Sequence, residues 1–135
     1  MSDLYMLDTD TSSYVIKGNS PNIDAHLRDL DVLQVCISAI TRAELRFGVR
    51  RLRRATRLAA EVETFLSGVH TLPWDEAAAD QFAEVRADLE RVGAPIGSMD
   101  TMIAAHAKAL DAVLVTNNVK HFGMVKGLAI ANWAE

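Results

Sequence analysis

Cysteine is almost absent from the sequence, and no long apolar run occurs in it. Cys36 is the single cysteine among 135 residues, which excludes a disulfide within the chain and is typical of a reducing compartment. No apolar run approaches the roughly 20 residues that a membrane-spanning helix requires. The first residues, MSDLYM, lack a basic segment followed by an apolar one, so we expect no signal peptide. We therefore expect a cytoplasmic protein with no membrane partner.

Several familiar kinds of catalytic site are missing as well. Neither form of glycine-rich phosphate loop occurs, which argues against chemistry on a nucleotide cofactor. The histidines have neither zinc-ligand spacing nor cysteine partners. A serine or cysteine nucleophile with a matched histidine is not evident either. The carboxylates and a cluster of arginines remain as candidates for chemistry.

The order of apolar segments predicts one α/β domain over residues 1–135. Half of the residues are hydrophobic and 24% are charged, as in globular domains. Short runs rich in β-branched residues alternate with stretches of helical spacing, which favours right-handed βαβ units and a parallel sheet with helices on both faces. Strands are predicted at residues 4–8, 33–38, 69–73, 112–116 and 128–133, and helices at 11–18, 23–30, from Ser38 or Thr41 into the arginine cluster, 58–68, 75–93 and 99–110.

Three acidic residues lie where predicted strands end or helices begin. Asp8 ends the first strand, Glu44 lies in the first turns of the helix after the second strand, and Asp100 lies in the first turn of the last long helix. The triplet Thr116–Asn118 ends the strand that follows this helix. Because ligands of open parallel sheets bind beyond the carboxyl ends of the strands, we expect these side chains to lie close together.

Each acid taken alone also has a purely structural explanation. Asp8 is a potential N-cap, and Asp10 is a first-turn acid favoured by the helix dipole. The segment TRAE, which ends at Glu44, matches the capping-box pattern and would give this glutamate only a structural part. Ser98 is a potential N-cap too, which makes Asp100 a first-turn acid.

The three acids taken together favour a metal site. Clustered carboxylates repel one another and raise one another's pKa values unless a cation compensates. Their oxygens are hard ligands that suit Mg²⁺ or Mn²⁺, held by few side chains and several waters. The joint pattern therefore favours a divalent metal over a set of unrelated helix caps.

The acids lie within four longer stretches, MLDTD, ISAITRAELRFGV, GAPIGSMDTMIAAHA and LVTNNVKHF. In this order and spacing, these stretches resemble the PIN-domain family, and within it the VapC ribonuclease toxins of type II toxin–antitoxin modules. The resemblance runs from about residue 4 to about residue 133. It implies a PIN-like three-layer α/β sandwich, in which helices flank a central parallel sheet of four to five strands.

The resemblance also implies roles for individual residues. Asp8, Glu44 and Asp100 match the family's acids, and would hold Mg²⁺, or Mn²⁺ in its place, directly or through water. Asp8 and Asp100 are the expected chief ligands, and Glu44 is expected to position the water shell or to accept a proton. Thr116, Asn117 and Asn118 match a further stretch of the family, in which either Thr116 or Asn118 would orient a water at the metal.

Two departures from the family pattern leave questions open. Many relatives have Asn where this sequence has Asp10, which adds either a metal ligand or only a helix-start acid. Many relatives also have a fourth acid just after the last strand, where the candidate positions here hold Asn117, Asn118 and His121. The three matched acids suffice for one metal, and a second metal stays undecided.

The function that the resemblance implies is that of a toxin, a Mg²⁺-dependent endoribonuclease that leaves 3′-hydroxyl and 5′-phosphate ends. The expected substrate is a tRNA cut in its anticodon loop, with initiator tRNA favoured. The expected partners are a VapB-type antitoxin, in a hetero-oligomer, and a second copy in a homodimer. Two alternatives remain: a receiver-like or phosphatase-like domain that uses Asp8 as acceptor or nucleophile, and an impaired PIN fold that only binds RNA or antitoxin.

Basic residues are concentrated in one segment, although the net charge of the chain is −4. Residues 42–57 contain seven of the 14 lysines and arginines. Arg42, Arg46, Arg50 and Arg54 are spaced to lie on one helical face. Such a face is a solvated helix surface, a track for the RNA backbone or a dock for an acidic antitoxin segment.

Two aromatic residues are candidates for contact with RNA bases. Single-stranded loops suit such recognition because their bases can be splayed into a site. Trp74 and Phe122 are placed to stack on them, although Trp74 follows a short strand and is more commonly a core residue.

Overall fold

A parallel sheet forms the centre of the molecule. The computed structural model describes residues 3–135, so residues 1 and 2 of the predicted domain lie outside the described range. All neighbouring strands are parallel, in the order β3-β2-β1-β4-β5. The predicted α/β class and the sheet of four to five strands are confirmed. The strands are β1 (Tyr5–Leu7), β2 (Val35–Ser38), β3 (His70–Leu72), β4 (Val113–Val115) and β5 (Ile130–Ala131).

Helices connect and cover the strands. All six predicted helices are present, and a short helix, α7, replaces the turn expected before the last strand. The second strand starts later than predicted because Val32–Gln34 form a 3₁₀ turn. Within residues 3–135, no helix combines the length and apolar character needed to cross a membrane. The helices are α1 (Thr9–Lys17), α2 (Pro21–Arg28), α3 (Ala39–Arg50), α4 (Thr56–Gly68), α5 (Glu76–Arg91), α6 (Ser98–Ala109) and α7 (Val119–Phe122).

Short polar side chains start four of the long helices. Asp8, Ser20, Ser38 and Asp75 each accept a hydrogen bond from a backbone N–H in the first turn of α1, α2, α3 and α5. Such caps satisfy donors that the helix itself leaves unpaired. Gly18 ends α1 in the left-handed conformation, with φ 66°, which glycine adopts without a steric penalty. Two of these caps, Asp8 and Ser38, lie at strand ends and so fix how the chain leaves the sheet.

The strand order has one reversal, and it lies between β1 and β4. From β1 the chain runs outward to β2 and β3, and it then returns through α5 and α6 to β4 on the other side of β1. Because parallel connections are right-handed, the helices of the outward and return paths cover opposite faces of the sheet. The carboxyl ends of β1 and β4 flank the crevice where ligands of such sheets bind.

Alternating strand residues supply two separate cores. Met6, Cys36 and Leu114 are in register and pack with α5, α6 and α7 on one side, here named the α5/α6 face. Their neighbours Leu7 and Ile37, together with Val115, pack on the other side with the helices that precede β3, here named the α1–α4 face. Strands buried on both sides explain the continuous apolar runs in the sequence.

Candidate active site

Asp8 stands at the end of β1, at the reversal point of the sheet. Its carboxylate Oδ1 accepts a hydrogen bond of 2.8 Å from the Thr11 backbone N–H, so its predicted capping role is present. The side chain is 4% exposed. Burial raises the pKa of Asp8, while hydrogen bonds from Thr116 and Thr11 offset part of this effect. A buried carboxylate at this place favours a compensating cation.

Glu44 lies in the second turn of α3 and is held from α1. The helix begins one residue after Ser38, whose Oγ accepts from the Ile40 N–H at 3.1 Å. The capping-box explanation for Glu44 is therefore wrong, because the cap lies further upstream. Instead, the Thr9 hydroxyl donates a hydrogen bond of 2.6 Å to Glu44 Oε1. We did not predict this hydrogen bond, although Thr9 is part of the LDTD stretch.

Asp100 lies in the first turn of α6 and is half-buried. The N-cap is Gly97, with φ 92°, so the prediction of Ser98 as N-cap is wrong. Burial raises the pKa of Asp100, and the negative charges of Glu44 and Asp8 raise it further. The structure therefore brings the three predicted acids into one electrostatic cluster.

His121 is a neighbour of this cluster. Its Nδ1 lies 3.7 Å from Asp100 Oδ2, and its charge lowers the pKa of that carboxyl. Asp10 is exposed in the first turn of α1, and it adds a smaller pKa-raising charge to both Asp8 and Asp100. Asp10 therefore lies at the rim of the cluster, in the position of a helix-start acid.

The triplet after β4 supports the site from the other side of the reversal. The Thr116 side chain is fully buried, and its Oγ1 accepts from the Asn118 N–H at 3.0 Å. Asn117 donates from Nδ2 to the Tyr14 hydroxyl at 3.2 Å, which ties the triplet to α1. The half-buried side chain of Asn118 makes no capping bond to α7. Thr116 thus supports Asp8, while the Asn118 amide is free of a capping role.

The donor chemistry of the cluster fits a hard divalent cation. Asp8, Glu44 and Asp100 offer carboxylate oxygens, and the Thr116 hydroxyl adds a neutral oxygen donor beside Asp8. Within residues 3–135, no three His, Cys, Asp or Glu side chains are arranged to hold a metal ion by themselves. One or two direct carboxylates with water in the remaining positions is the arrangement that Mg²⁺ commonly adopts. The residues present therefore fit a largely hydrated ion.

The predicted arginine stripe is shorter than expected. The helix α3 ends at Arg50, with Arg51 as C-cap, so Arg54 lies in the following turn. The prediction that all four arginines share one helical face is wrong, because the helix stops before it reaches the last of them.

The two arginines nearer the start of α3 have partners within the protein. Arg42 donates to Thr71 Oγ1 at 3.2 Å, and Arg46 forms an ion pair with Glu63 on α4. Within residues 3–135, no ion pair involves Arg50 or the arginines of the following turn. The charge available to a polyanion is therefore concentrated at the end of α3.

Phe122 and Trp74, the two residues predicted to stack on RNA bases, both make contacts within the protein. Phe122 is 1% exposed in the core of the α5/α6 face, so its predicted contact with bases is wrong. Trp74 is half-buried, donates from Nε1 to the Met102 carbonyl at 3.0 Å and packs edge-on against Phe82. Both residues therefore serve mainly in packing.

A groove leads from the carboxylates along the α1–α4 face. Its volume is about 300 Å³, and Thr9 and Glu44 line the end at the site. Lys17 and Arg51 line it further along, and apolar side chains such as Leu58 complete it. The groove therefore connects the acidic cluster with the basic end of α3.

Comparison with known proteins agrees with this arrangement. The PIN domain family matches residues 5–126. The chain belongs to the PIN-domain family, in its VapC branch. Over 132 residues it is 39% identical to the tRNA(fMet)-specific endonuclease VapC of Salmonella typhimurium, covering 96% of this chain and 97% of that relative. It is 37% identical over 130 residues to the tRNA(fMet)-specific endonuclease VapC of Shigella flexneri, covering 96% and 98%.

Solved structures of VapC-type proteins share the fold of this PIN domain. The crystal structure of DNA-bound VapBC from Salmonella typhimurium matches with a TM-score of 0.90 and 38% identity, over 98% of this chain and 99% of that one. The PIN-like three-layer arrangement predicted from the sequence is therefore confirmed.

Proposed function

We propose that this PIN domain is the toxin of a type II toxin–antitoxin pair and acts as a divalent-metal-dependent endoribonuclease. The observation that carries the proposal is the cluster of Asp8, Glu44 and Asp100 at the reversal point of the sheet, in which the charges of Glu44 and Asp8 act on Asp100. The VapC relatives, named as endonucleases and ribonucleases, support the reaction class. The product ends are a 3′-hydroxyl and a 5′-phosphate, and the place of action is the cytoplasm.

Asp8 and Asp100 are the chief residues that would hold Mg²⁺, with Mn²⁺ as a substitute, and Glu44 would contribute directly or through water. When bound, the cation supplies Lewis acidity that lowers the pKa of a water and stabilises charge on the scissile phosphate. The fit of the site to a hydrated ion supports Mg²⁺, because this ion keeps several of its waters. A single ion is the arrangement that three acids support.

The protein's own side chains hold these carboxylates in place. The Thr11 N–H and the Thr116 hydroxyl fix Asp8, and the Thr9 hydroxyl fixes Glu44 through Oε1. The Glu44 oxygen Oε2 then orients the attacking water or accepts its proton. Asn118, whose amide is not used to cap α7, orients the water or a phosphate oxygen.

The proposed substrate is a tRNA cut in its anticodon loop, with initiator tRNA favoured. The support is the name of two relatives, tRNA(fMet)-specific endonuclease VapC. The basic end of α3, from Arg50 to Arg54, contacts the RNA backbone, since phosphate contacts dominate affinity for RNA. The proposed partners are a VapB-type antitoxin, as in the VapBC structures, and a second copy of the chain.

The test is cleavage of a total tRNA pool by purified, antitoxin-free protein. We expect cleavage with Mg²⁺, none with EDTA, and a loss of at least about 100-fold in Asp100→Asn, as is typical when a catalytic metal ligand is removed. Asp111→Asn is the matched control, because Asp111 is exposed at the far end of α6 and has φ 53°, which asparagine tolerates. Mapping the cut end identifies the substrate.

Three results would contradict the proposal in different ways. Cleavage that persists in EDTA would exclude a metal mechanism. A phosphoryl group trapped on Asp8 would favour a phosphatase-like domain. No cleavage by well-folded protein, even with Mn²⁺, would leave an RNA- or antitoxin-binding module and point to the missing fourth acid as the cause.

A further inference from the structure

His106 is a buried histidine that the proposed chemistry does not use. It lies in α6, is 1% exposed, and its Nδ1 is 2.7 Å from the Ser38 Oγ. Ser38 is also fully buried, and 68 residues separate the pair in sequence. Buried polar groups are costly unless they are hydrogen-bonded, so the bond to Ser38 offsets the cost of burying the His106 ring.

A neutral imidazole ring fits these surroundings. The Ser38 oxygen accepts from the Ile40 N–H, which leaves its own hydrogen available to His106 Nδ1. Burial lowers the pKa of His106, and the negative charge of Asp75 and the Pro73 backbone offset part of this effect.

The pair joins the start of α3 to α6, and the connection that follows β3 lies beside it. Ser38 is both the last residue of β2 and the N-cap of α3, the helix that carries Glu44. Pro73 directly follows β3, and His106 itself stands on α6, the helix that carries Asp100. A second bond, from Trp74 Nε1 to the Met102 carbonyl, ties the same connection to α6. The start of α3 is thus fixed relative to α6 from behind the carboxylates.

We propose that Ser38 and His106 form a positioning pair, which holds the helix of Glu44 and the helix of Asp100 at the spacing that the metal site requires. The inference rests on the proposed function. His106 is a positioning residue, because its side-chain hydrogen bond goes to Ser38 and not to the three carboxylates. Groups that orient metal ligands from behind typically contribute about 10–100-fold to metal affinity or activity.

The experiment measures two quantities for each variant of the full chain. The first is the dissociation constant of Mn²⁺, obtained from the paramagnetic resonance signal of the free ion. The second is the single-turnover cleavage rate of tRNA, with the dissociation constant of the RNA determined separately. For Ser38→Ala and for His106→Leu, we expect roughly tenfold weaker Mn²⁺ binding and roughly tenfold slower cleavage, with unchanged RNA affinity.

Two further variants separate positioning from general damage. His106→Asn retains an acceptor near the position of Nδ1, so we expect it to recover most of the Mn²⁺ affinity that His106→Leu forfeits. The double variant Ser38→Ala/His106→Leu should be less impaired than the product of the two single effects, since both changes remove the same bond and only Ser38→Ala also removes the cap of α3. Ser20→Ala is the matched control, because it removes the hydroxyl cap of α2 without touching the site.

The outcomes distinguish this proposal from the proposed function. If Ser38→Ala binds Mn²⁺ and cleaves like the wild type, or if Ser20→Ala is impaired as much, the positioning role is wrong while the nuclease stands. Impairments that multiply in the double variant would also overturn it. A wild-type protein that neither binds Mn²⁺ nor cleaves tRNA would overturn both proposals together.

Discussion

The two faces of the sheet are packed to different degrees. On the α5/α6 face, Ala104 and Ala107 of α6 are fully buried in the same core as Met6 and Leu114 of the strands. The groove beside α5 and α6 has a volume of only about 100 Å³. On the α1–α4 face, grooves of about 300 and 360 Å³ open between the helices. Val32 and Leu33, at 58% and 70% exposure, lie on the chain just before β2.

This difference suits the two faces to different roles: the α5/α6 face to supporting the site, and the α1–α4 face to binding partners. A closely packed face resists deformation because protein interiors have little free volume, and it carries His106 behind the carboxylates. An open face with apolar and basic linings offers surface to partners, and it begins at Glu44. The carboxylates lie at the edge where the two faces meet, with the His106 pair on one side and the groove on the other.

The largest expected effect is on stability, from one leucine on each face. Leu114→Ala removes a fully buried side chain of the α5/α6 face and should lower the free energy of unfolding by about 2–5 kcal/mol. Leu27→Ala removes a half-buried side chain beside a groove and should lower it by about 1 kcal/mol. Urea unfolding of both variants measures the difference. Equal reductions would show that the Leu27 side chain is packed as tightly as that of Leu114.

The next effect is a gain in stability when the charge of Asp100, at the edge between the two faces, is removed. Burial raises the pKa of Asp8 and of Asp100 above the ordinary value of 3.8. The folded protein therefore binds these protons more tightly than the unfolded chain, so stability falls as pH rises from 3.8 through the higher folded pKa and stays reduced above it. At pH 7 in EDTA, Asp100→Asn should raise the free energy of unfolding by about 0.5–2 kcal/mol.

Denaturant unfolding as a function of pH measures this gain, which should vanish at a pH below 3.8, where the wild-type carboxyls are protonated in both states. Asp111→Asn is the control, because Asp111 is exposed and is not among the charges that act on Asp8 or Asp100. A metal-free Asp100→Asn protein that is less stable than the wild type at pH 7 would contradict the assigned electrostatic strain.

A smaller effect concerns RNA affinity and its dependence on salt. Arg50→Gln/Arg54→Gln changes arginines at the basic end of α3, next to the grooved face. The slope of log affinity against log salt should become less steep by about 0.7 for each phosphate that the variant no longer neutralises. Arg86→Gln/Arg91→Gln is the matched control on α5, where both arginines are paired with acids. Equal changes in the two double variants would show that the basic segment has no special part in RNA binding.

The smallest expected effect concerns the Cys36 thiol, which should not react with a thiol reagent in the folded protein. Burial raises the pKa of the Cys36 thiol to about 12, so almost no thiolate is present at a mildly alkaline pH. A chromogenic disulfide reagent should leave the folded protein unmodified and titrate one thiol after denaturation. Rapid reaction with the folded protein would show that the α5/α6 face opens readily.

Most of the fold could be predicted because local patterns specify it. The run Val113–Val115 is apolar throughout, and Asp75 stands where a cap is needed, so strand and helix were both recognisable. The end of α3 at Arg50 could not be foreseen, since neither glycine nor proline follows it. The sequence offered two possible starts for α3, Ser38 and Thr41. The structure has Ser38 as the N-cap, and the Ser38 hydroxyl also forms a hydrogen bond with His106, 68 residues away.

The acids of the site could be predicted from the sequence, but the residues that hold them in place could not. Asp8, Glu44 and Asp100 lie in stretches with a recognisable pattern, and the topology brings them together. Thr9 and His106 act through partners 35 and 68 residues away, and sequence spacing carries no signal for such pairs. Supports of this kind become visible only when the fold is known.

The reversal of strand order has a consequence for the moment at which the protein becomes active. The crevice requires β1 and β4 to lie side by side. The Thr11 hydroxyl, just after β1, donates a hydrogen bond to the Val115 carbonyl of β4, which is 104 residues away in the sequence. During translation, a growing chain contains Asp8 from the outset, but it lacks β4 until most of the chain has been made. The complete crevice therefore forms only after the chain has been made as far as Val115 and β4 has paired with β1.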